Sequence, residues 1–239
     1  MTLKDKIFFI GYHKTATTTI HNLFSLNNVK SLHNYSYDSV KNNPLHQVFS
    51  DTGGVVPIKN CIKYHKLCHE YKNSTFVLNT RNLDGWLLSH CTHQYWLQAR
   101  DKKSTENIHM YKTKDISSLI RSRVDEYKKI INFFQPTPER LLILNINRDN
   151  WLQFLSNHFD LKHFDLKLNV TQSSGNQYAN NQNTPLEHIP HRDLLKIKKN
   201  IRSTLDDLGV KDASNPFLPK ELIHAEEIPA LLHLFKNNL

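Results

Sequence analysis

The sequence predicts an α/β fold in which helices flank a central parallel β-sheet. Short, fully apolar runs alternate along the chain with longer segments whose apolar residues recur at helical spacing. The runs lack the polar and apolar alternation of a sheet with one solvated face, so they are expected to be strands buried on both faces. Because strands alternate with helices, the connections are crossovers, which produce a parallel sheet with helices on both sides.

The first strand, loop and helix are predicted near the start of the sequence. Residues 7–10 (IFFI) form an apolar run that ends at Gly11, and the loop GYHKTA follows. The next segment, TTTIHNLFSL at residues 17–26, has apolar residues on one helical face and a threonine available as N-cap. These features predict a buried strand, a polar loop and an amphipathic helix.

Further strands and helices follow in the same alternation. Each predicted strand is a run of apolar residues, and the predicted helices are longer segments, most with periodic apolar residues. In chain order they are a polar helix at 58–72, a strand at 76–80, helices at 84–99 and 116–134, a strand at 140–146 and a helix at 150–159. The repetition extends the predicted sheet.

The last part of the sequence has a different character. Residues 169–184 are rich in Asn, Gln and Ser and predict a polar loop or linker. An amphipathic helical segment then ends at Gly209, and a second helical stretch is interrupted by Pro229. We therefore expect a core at 1–168, the linker, and a C-terminal helical appendage at 185–239 that packs on the core.

Length and composition limit the class of protein. The 239 residues suit one large domain, or a domain with an appendage. No apolar run approaches the roughly 18–20 residues of a membrane span, and the first apolar run is too short for a signal peptide. The three cysteines lack a CxxC pair, which predicts free thiols and no metal site. We expect a cytoplasmic protein without a membrane span.

The charge balance favours an anionic partner. The formal net charge is +9, from 31 Lys and Arg residues against 22 Asp and Glu residues. Such a surface attracts polyanions, but the basic residues are scattered and match no nucleic-acid-binding signature. A nucleic acid is therefore not the expected partner, and charge alone leaves open a nucleotide, an anionic glycan or only solvent.

The loop after the first strand carries a candidate anion site. Lys14 lies in the loop, and four threonine hydroxyls surround the start of the next helix, at Thr15, Thr17, Thr18 and Thr19. The first N–H groups of a helix are unpaired and partly positive, so a phosphate would meet donors, hydroxyls and a cation there. The alternative is a capped helix with a chance lysine. The loop does not match Walker A, which requires G-x-x-x-x-G-K-[ST].

Arg81 is a second candidate cation at the end of a strand. It directly follows the strand at 76–80, and Ser89 lies eight residues further on, in the predicted helix. Ligands of open α/β sheets bind beyond the carboxyl ends of strands, so Lys14 and Arg81 could bind two phosphates of one nucleotide. A purely structural arginine is the alternative.

Together, GYHKTATTT and FVLNTRNLDGWLLS resemble the two nucleotide-binding signatures of sulfotransferases that use 3′-phosphoadenosine 5′-phosphosulfate (PAPS). In that family a loop similar to K-T-G-T-T holds the 5′-phosphosulfate, and an R-x7-S pattern holds the 3′-phosphate. VFSDTGG and PERLLILNINRDNWLQFLSNHFDL resemble further elements of small bacterial members, and the similarity covers residues 5–165. The resemblance implies a P-loop-NTPase-like three-layer sandwich.

The resemblance also implies the reaction, the transfer of a sulfuryl group from PAPS to an acceptor hydroxyl or amine without a metal. Lys14 would lie at the bridging oxygen of the phosphosulfate, and Arg81 and Ser89 would hold the 3′-phosphate. The rest of the loop would hold the phosphosulfate: His13, Thr15, Ala16, Thr17, Thr18 and Thr19. The acceptor is not specified, and a carbohydrate is preferred because polar and basic loops suit a hydroxyl-rich partner.

Sulfuryl transfer also needs a base for the acceptor. Asp51 in VFSDTGG is the first candidate, because its segment resembles the F-S-D element of the family; an aspartate in a turn is the alternative. His13 and His65 are rival bases, since His13 adjoins Lys14 and His65 lies on a predicted helix near the binding strands.

The sequence departs from the family pattern in the candidate site. Ala16 stands where the loop usually has glycine, which we expect to be tolerated if its φ is negative. Asn82 replaces the aspartate that often follows the arginine, and the R-K-G-x-x-G loop of the cytosolic enzymes is absent. These differences predict a nucleotide site that is weaker or differently assembled.

Two other functions remain open from the sequence. A kinase that uses ATP and Mg²⁺ on a small molecule or nucleotide would also need a Lys-Thr loop, although the second Walker glycine and a clear Walker B aspartate are missing. The other is a non-catalytic protein that binds a nucleotide or RNA through its charge.

Overall fold

The computed structural model describes residues 5–51, 64–101, 112–147, 150–163, 189–210 and 222–224. Its strands are β1 (Ile7–Phe9), β2 (Ser31–His33), β3 (Val48–Ser50), β4 (Thr75–Thr80), β5 (Leu141–Asn145) and β6 (Leu222–His224). Its α-helices are α1 (Thr17–Leu26), α2 (Tyr37–Asn42), α3 (Tyr64–Glu70), α4 (Leu83–Asp101), α5 (Thr113–Phe134), α6 (Trp151–His158) and α7 (His191–Asp207). A short 3₁₀ turn, Pro138–Arg140, precedes β5.

The strands form one sheet in the order β2-β3-β1-β4-β5-β6. The first five strands in this order run parallel, and β6 pairs antiparallel to β5. The central strands are buried on both faces because crossover helices cover both sides of the sheet. The predicted α/β fold with a parallel sheet flanked by helices is confirmed.

Side-chain alternation along the strands divides the core into two layers. Phe8 packs on one face with side chains of α2, α3 and the C-terminal half of α5, such as Val40, Leu67 and Ile130. Its neighbour Phe9 points to the other face, where α1 and α6 cover the sheet. The sheet is therefore the middle of three layers.

A third apolar cluster lies among helices. It joins α4 to the N-terminal half of α5 and to α7, through residues such as Trp86, Ile120 and Ile201. The Tyr95 hydroxyl donates to the Asp193 carboxylate at 2.8 Å, which adds a polar contact between α4 and α7. The amphipathic helix predicted before Gly209 thus packs on the rest of the described chain.

Several elements differ from the sequence predictions. The strands β2 and β3 were not predicted, because each has only three residues. Residues 222–224 form β6 where a helical stretch was predicted, since pairing with the edge of β5 overrides a weak local pattern. The predicted linker at 169–184 lies outside the described residues.

Two findings concern cysteines and membranes. Cys68 and Cys91 are buried free thiols. Among the helices that the structure describes, none is both long and apolar enough to cross a membrane.

Candidate functional site

The candidate site lies at the carboxyl edge of the parallel strands. The loop from Gly11 to Ala16 leaves β1 there, Asp51 follows β3, and Arg81 follows β4. The chain continues from β1 toward one end of the sheet and from β4 toward the other, and ligands of open α/β sheets bind at such a reversal. The topology therefore brings the predicted cations to one place.

Asn79 holds the β1–α1 loop against β4. The Gly11 N–H donates to the side-chain oxygen of Asn79 at 3.0 Å. The side-chain nitrogen of Asn79 donates to the Thr15 carbonyl at 2.9 Å and to the Thr15 hydroxyl at 2.6 Å. A side chain at Gly11 would start 2.1 Å from the Asn79 carbonyl oxygen, so only glycine fits. The Thr15 hydroxyl also donates to the Tyr12 carbonyl, which assigns it to the loop rather than to a phosphate as predicted.

The loop backbone has a conformation suited to an anion. Lys14 and Ala16 both have positive φ, 66° and 63°, and a residue of negative φ separates them. Backbones in which right- and left-handed residues alternate turn their N–H groups into a concave anion-binding nest. A negative φ was the condition under which Ala16 would be tolerated, and this condition is not met: its left-handed conformation costs about 1–2 kcal/mol for a residue with a Cβ.

Lys14 is a buried cation close to a carboxylate. Burial lowers its pKa to about 8, and the charge of Asp51 opposes that shift. Its ammonium group is therefore still charged at neutral pH, but it has lost much of its hydration. A bound anion would compensate for this loss, which makes Lys14 a suitable ligand for a phosphate or sulfuryl group.

Asp51 lies in a polar cluster with residues from two other elements. The Thr17 hydroxyl donates to its carboxylate at 3.1 Å, and the His33 Nε2 is 3.6 Å from the same oxygen. The His33 Nε2 also approaches the hydroxyls of Thr17 and Thr18, at 3.3 and 3.4 Å. The structure therefore brings the predicted base Asp51 to the phosphate loop, together with a histidine that was not predicted.

His33 has the properties of a neutral base. Burial and then Lys14 lower its pKa, and Asp51 opposes them. Its ring is thus neutral at neutral pH and able to accept a proton. No local sequence signal pointed to His33, because β2 is a short strand and its residues are only half-buried.

Arg81 contacts the loop directly. Its Nη1 donates to the Lys14 carbonyl at 3.4 Å, although the two residues are 67 positions apart in sequence. Its guanidinium lies beside Gly85 in the first turn of α4, where an added Cβ would be 3.3 Å from Arg81 Nε. Ser89 lies four residues after Gly85, hence on the same face of α4. This placement is consistent with the predicted pairing of Arg81 and Ser89.

Arg123 on α5 is a further cation that the sequence analysis missed. It donates through Nη2 to the Arg81 carbonyl, and its guanidinium lies 4.6 Å from the centroid of the Trp86 ring. The Trp86 indole N–H in turn donates to the His13 carbonyl at 3.1 Å. The available signal was its position, since Arg123 falls in the stripe of buried residues that otherwise makes α5 apolar.

His13 is part of a buried histidine pair. Its Nε2 lies 2.5 Å from the Nδ1 of His90, so one ring donates to the other. Burial, followed by the charge of His90, lowers the pKa of His13 to about 3, and burial lowers that of His90 to about 4. A group with so low a pKa is a weak base at neutral pH, which argues against the predicted catalytic role of His13.

His65 lies apart from the other predicted residues. Its ring stacks on Tyr64 at 4.0 Å and meets Phe133 at 4.4 Å between centroids. Phe133 is at the end of α5 that leads into β5, on the amino side of the strands. Among the described residues, the ring contacts of His65 are thus with α3 and α5 and not with the β1–α1 loop, which gives no support to its predicted role as a base.

Comparison with known proteins does not identify the chain. No protein-family model matches the sequence, and no curated protein matches it significantly.

Proposed function

We propose that this protein is a PAPS-dependent sulfotransferase that transfers a sulfuryl group to an acceptor hydroxyl or amine. The contact between Arg81 and the carbonyl of Lys14 is the observation that supports this most strongly. PAPS carries a 3′-phosphate and a 5′-phosphosulfate on the same ribose, so its two anionic groups need two neighbouring cationic subsites. Lys14 and Arg81 supply two cations at one edge of the sheet.

The topology supports a P-loop-NTPase-like fold for the core. The parallel strands have the order β2-β3-β1-β4-β5, and the candidate phosphate loop joins the central strand β1 to α1. The start of α1 offers unpaired N–H groups to an anion bound by this loop.

The proposed reaction is an in-line displacement at sulfur. The acceptor oxygen or nitrogen forms a bond to sulfur while the bond from sulfur to the 5′-phosphate oxygen breaks, and adenosine 3′,5′-bisphosphate leaves. Lys14 neutralises the charge that develops on the departing phosphate. Arg81 and Ser89 hold the 3′-phosphate and so fix the position of the sulfuryl group.

The base is proposed to be Asp51, with His33 as its rival. Both side chains lie beside Thr17, at the start of α1. A base there would take the proton from the acceptor as the bond to sulfur forms. A carbohydrate is the proposed acceptor class, because the site is lined by hydroxyl, carboxylate and imidazole groups that bind sugar hydroxyls.

Turnover of PAPS tests this proposal. The purified protein is incubated with PAPS and a panel of carbohydrate, phenol and amine acceptors, and the release of adenosine 3′,5′-bisphosphate is followed. Lys14→Ala should lower the rate about 10²–10³-fold, by loss of a charge-stabilising group. Lys30→Ala, which removes an exposed lysine, is the matched control. Equal rates for wild type and Lys14→Ala would contradict the assignment of Lys14.

A kinase that uses ATP and Mg²⁺ is a second candidate function. The sequence showed no clear Walker B aspartate, but Asp51 follows the buried strand β3 and accepts a hydrogen bond from Thr17 in the first turn of α1. P-loop NTPases hold Mg²⁺ with such a hydroxyl and aspartate. Against this, Thr17 stands where the Walker lysine would follow the second glycine. A requirement for Mg²⁺ in nucleotide binding would favour the kinase.

A further inference from the structure

We infer that Arg123 is an anion ligand, and that Arg81 and Arg123 together form a two-guanidinium subsite for a phosphate monoester dianion. The subsite lies where β4 ends and α5 crosses it. The identity of the anion as the 3′-phosphate of a nucleotide rests on the proposed function. The existence of the subsite rests only on the contacts of Arg123.

Arg123 is buried and incompletely bonded. Only 2% of the residue is exposed, its Nη2 donates to the Arg81 carbonyl, and its Nη1 has no hydrogen-bond partner among the described residues. Buried charged donors in folded proteins are nearly always paired, because an unpaired one has lost its hydration without compensation. An acceptor supplied by a ligand would complete the bonding of this guanidinium.

The charges around the two arginines do not balance. Within the described part of the chain, no carboxylate forms an ion pair with Arg123, and Glu126 on the same helix pairs with Lys129 at 3.8 Å. Burial lowers the pKa of Arg81, the Asp84 carboxylate opposes that shift, and the nearby Arg123 guanidinium adds to it. Of the carboxylates that the structure describes, Asp84 is therefore the one that acts on either guanidinium, and it acts on Arg81; the excess positive charge favours an anion.

A second unpaired polar group lies in the same cluster. Tyr127 is one turn after Arg123 on α5, and the Arg123 guanidinium lies 5.2 Å from the centroid of its ring. The Tyr127 hydroxyl is buried and has no partner among the residues that the structure describes. A phosphate oxygen would accept from this hydroxyl as well as from the arginine.

Stacking explains how Arg123 is held ready for the ligand. The Arg123 guanidinium carbon lies 4.6 Å from the centroid of the Trp86 ring and 5.2 Å from that of the Tyr127 ring, so cation–π contacts with two aromatic side chains hold it in place. The N–H groups at its edge stay available, and one of them already bonds to Arg81. A planar fork of this kind suits the oxygens of a phosphate, which lysine would bind only as a point charge.

Calorimetric titration of the full chain tests the subsite. Adenosine 3′,5′-bisphosphate and adenosine 5′-phosphate are titrated into wild type and Arg123→Gln. Arg123→Gln should lower the affinity for the bisphosphate by about 10- to 100-fold, because that is the contribution of a hydrogen bond to a charged group. The affinity for adenosine 5′-phosphate should not change. Arg121→Gln, which removes an exposed arginine from the same helix, should change neither affinity.

Tyr127→Phe separates binding from folding. Because its hydroxyl has no partner among the described residues, its removal should leave the thermal stability of the unliganded protein unchanged or raised. The affinity for the bisphosphate should still fall severalfold. If Arg123→Gln does not fold, Arg123→Lys keeps the charge and should still bind the bisphosphate less tightly than wild type. Unchanged affinity in Tyr127→Phe and in the folded Arg123 variant would overturn the inference.

The outcomes distinguish this inference from the proposed function. If the bisphosphate binds and depends on Arg81 but not on Arg123, the sulfotransferase proposal stands and the inference fails. If ADP with Mg²⁺ binds instead and weakens in Arg123→Gln, the subsite stands and the sulfotransferase proposal fails. If neither nucleotide nor inorganic pyrophosphate binds to wild type, both fail.

Discussion

At the scale of single residues, the candidate site is defined by groups that the fold places under strain or removes from water. Ala16 adopts a left-handed conformation that favours glycine, and Lys14 keeps a charge in a buried position. Both features are unfavourable in the unliganded protein. They are expected at a site where an anion binds to the backbone and to the ammonium group.

Ala16→Gly should stabilise the protein by about 1 kcal/mol, because glycine adopts positive φ without a Cβ penalty. Denaturant unfolding measures the change. Ala99→Gly, within the long helix α4, is the control and should destabilise by about 1 kcal/mol. An equal loss of unfolding free energy in both variants would show that Ala16 does not adopt the left-handed conformation.

The affinity for an anionic nucleotide should fall as the pH rises through about 8, the pKa of Lys14. The bound anion favours the charged ammonium, whereas the free protein loses that proton above its pKa, so binding must take up a proton. The affinity should decrease about tenfold per pH unit above that value. Titration calorimetry measures the affinity of wild type and of Lys14→Arg between pH 7 and pH 10. The arginine variant keeps its charge over this range. Parallel profiles for the two proteins would exclude Lys14 as a ligand.

At the scale of elements, the sequence predicts the parts of the fold that have a continuous local signal. The strands at 7–10, 76–80 and 140–146 are uninterrupted apolar runs, and each corresponds to an observed strand, β1, β4 and β5. β2 and β3 are too short for a pattern, and β6 forms by pairing with β5, which no local sequence signal encodes. Strands of only three residues, at the edge of the sheet or inside it, are thus the ones that a local sequence pattern fails to predict.

The same distinction applies to the site. Lys14 was predicted because it lies in the loop after an apolar strand, and Arg81 because it directly follows one. His33 and Arg123 were not, because their approach depends on the sheet order and on how α5 packs. Thr15 was predicted as a phosphate ligand, but its hydroxyl accepts a hydrogen bond from the Asn79 side chain, which fixes the loop. The two residues are 64 positions apart, so sequence spacing could not reveal this contact.

The first turn of α4 should be sensitive to a single methyl group. In Gly85→Ala the Cβ would lie 2.6 Å from Asn82 Oδ1 and 3.3 Å from Arg81 Nε, so the Asn82 side chain must move and the Arg81 guanidinium must shift by a few tenths of an ångström. Binding of adenosine 3′,5′-bisphosphate should weaken about tenfold or more, the value of one hydrogen bond to a charged group. Gly209→Ala, where nothing lies near the added Cβ, is the control for binding. Unchanged binding in Gly85→Ala would mean that Arg81 does not contact the ligand.

At the scale of the whole molecule, a parallel sheet concentrates positive charge at one edge. The chain has a formal net charge of +9, and three of its buried or half-buried cations, Lys14, Arg81 and Arg123, lie near the carboxyl ends of β1 and β4. Carboxylates from β3 and α4 offset part of this charge. We propose that the fold supplies a preformed anion site there, and that the chemistry of the anion decides between sulfuryl and phosphoryl transfer.

The most direct test of the central claim is the thermal stability of wild type and Arg81→Ala with adenosine 3′,5′-bisphosphate, AMP or ADP, without metal and with Mg²⁺. A ligand at about 100 times its Kd stabilises by about 2.7 kcal/mol. For a chain of this size that corresponds to a rise in Tm of roughly 5–10 °C. We expect only the 3′-phosphorylated nucleotide to raise the Tm of wild type, without metal, and no rise in Arg81→Ala. A preference for ADP with Mg²⁺, or no response to any nucleotide, would contradict the account.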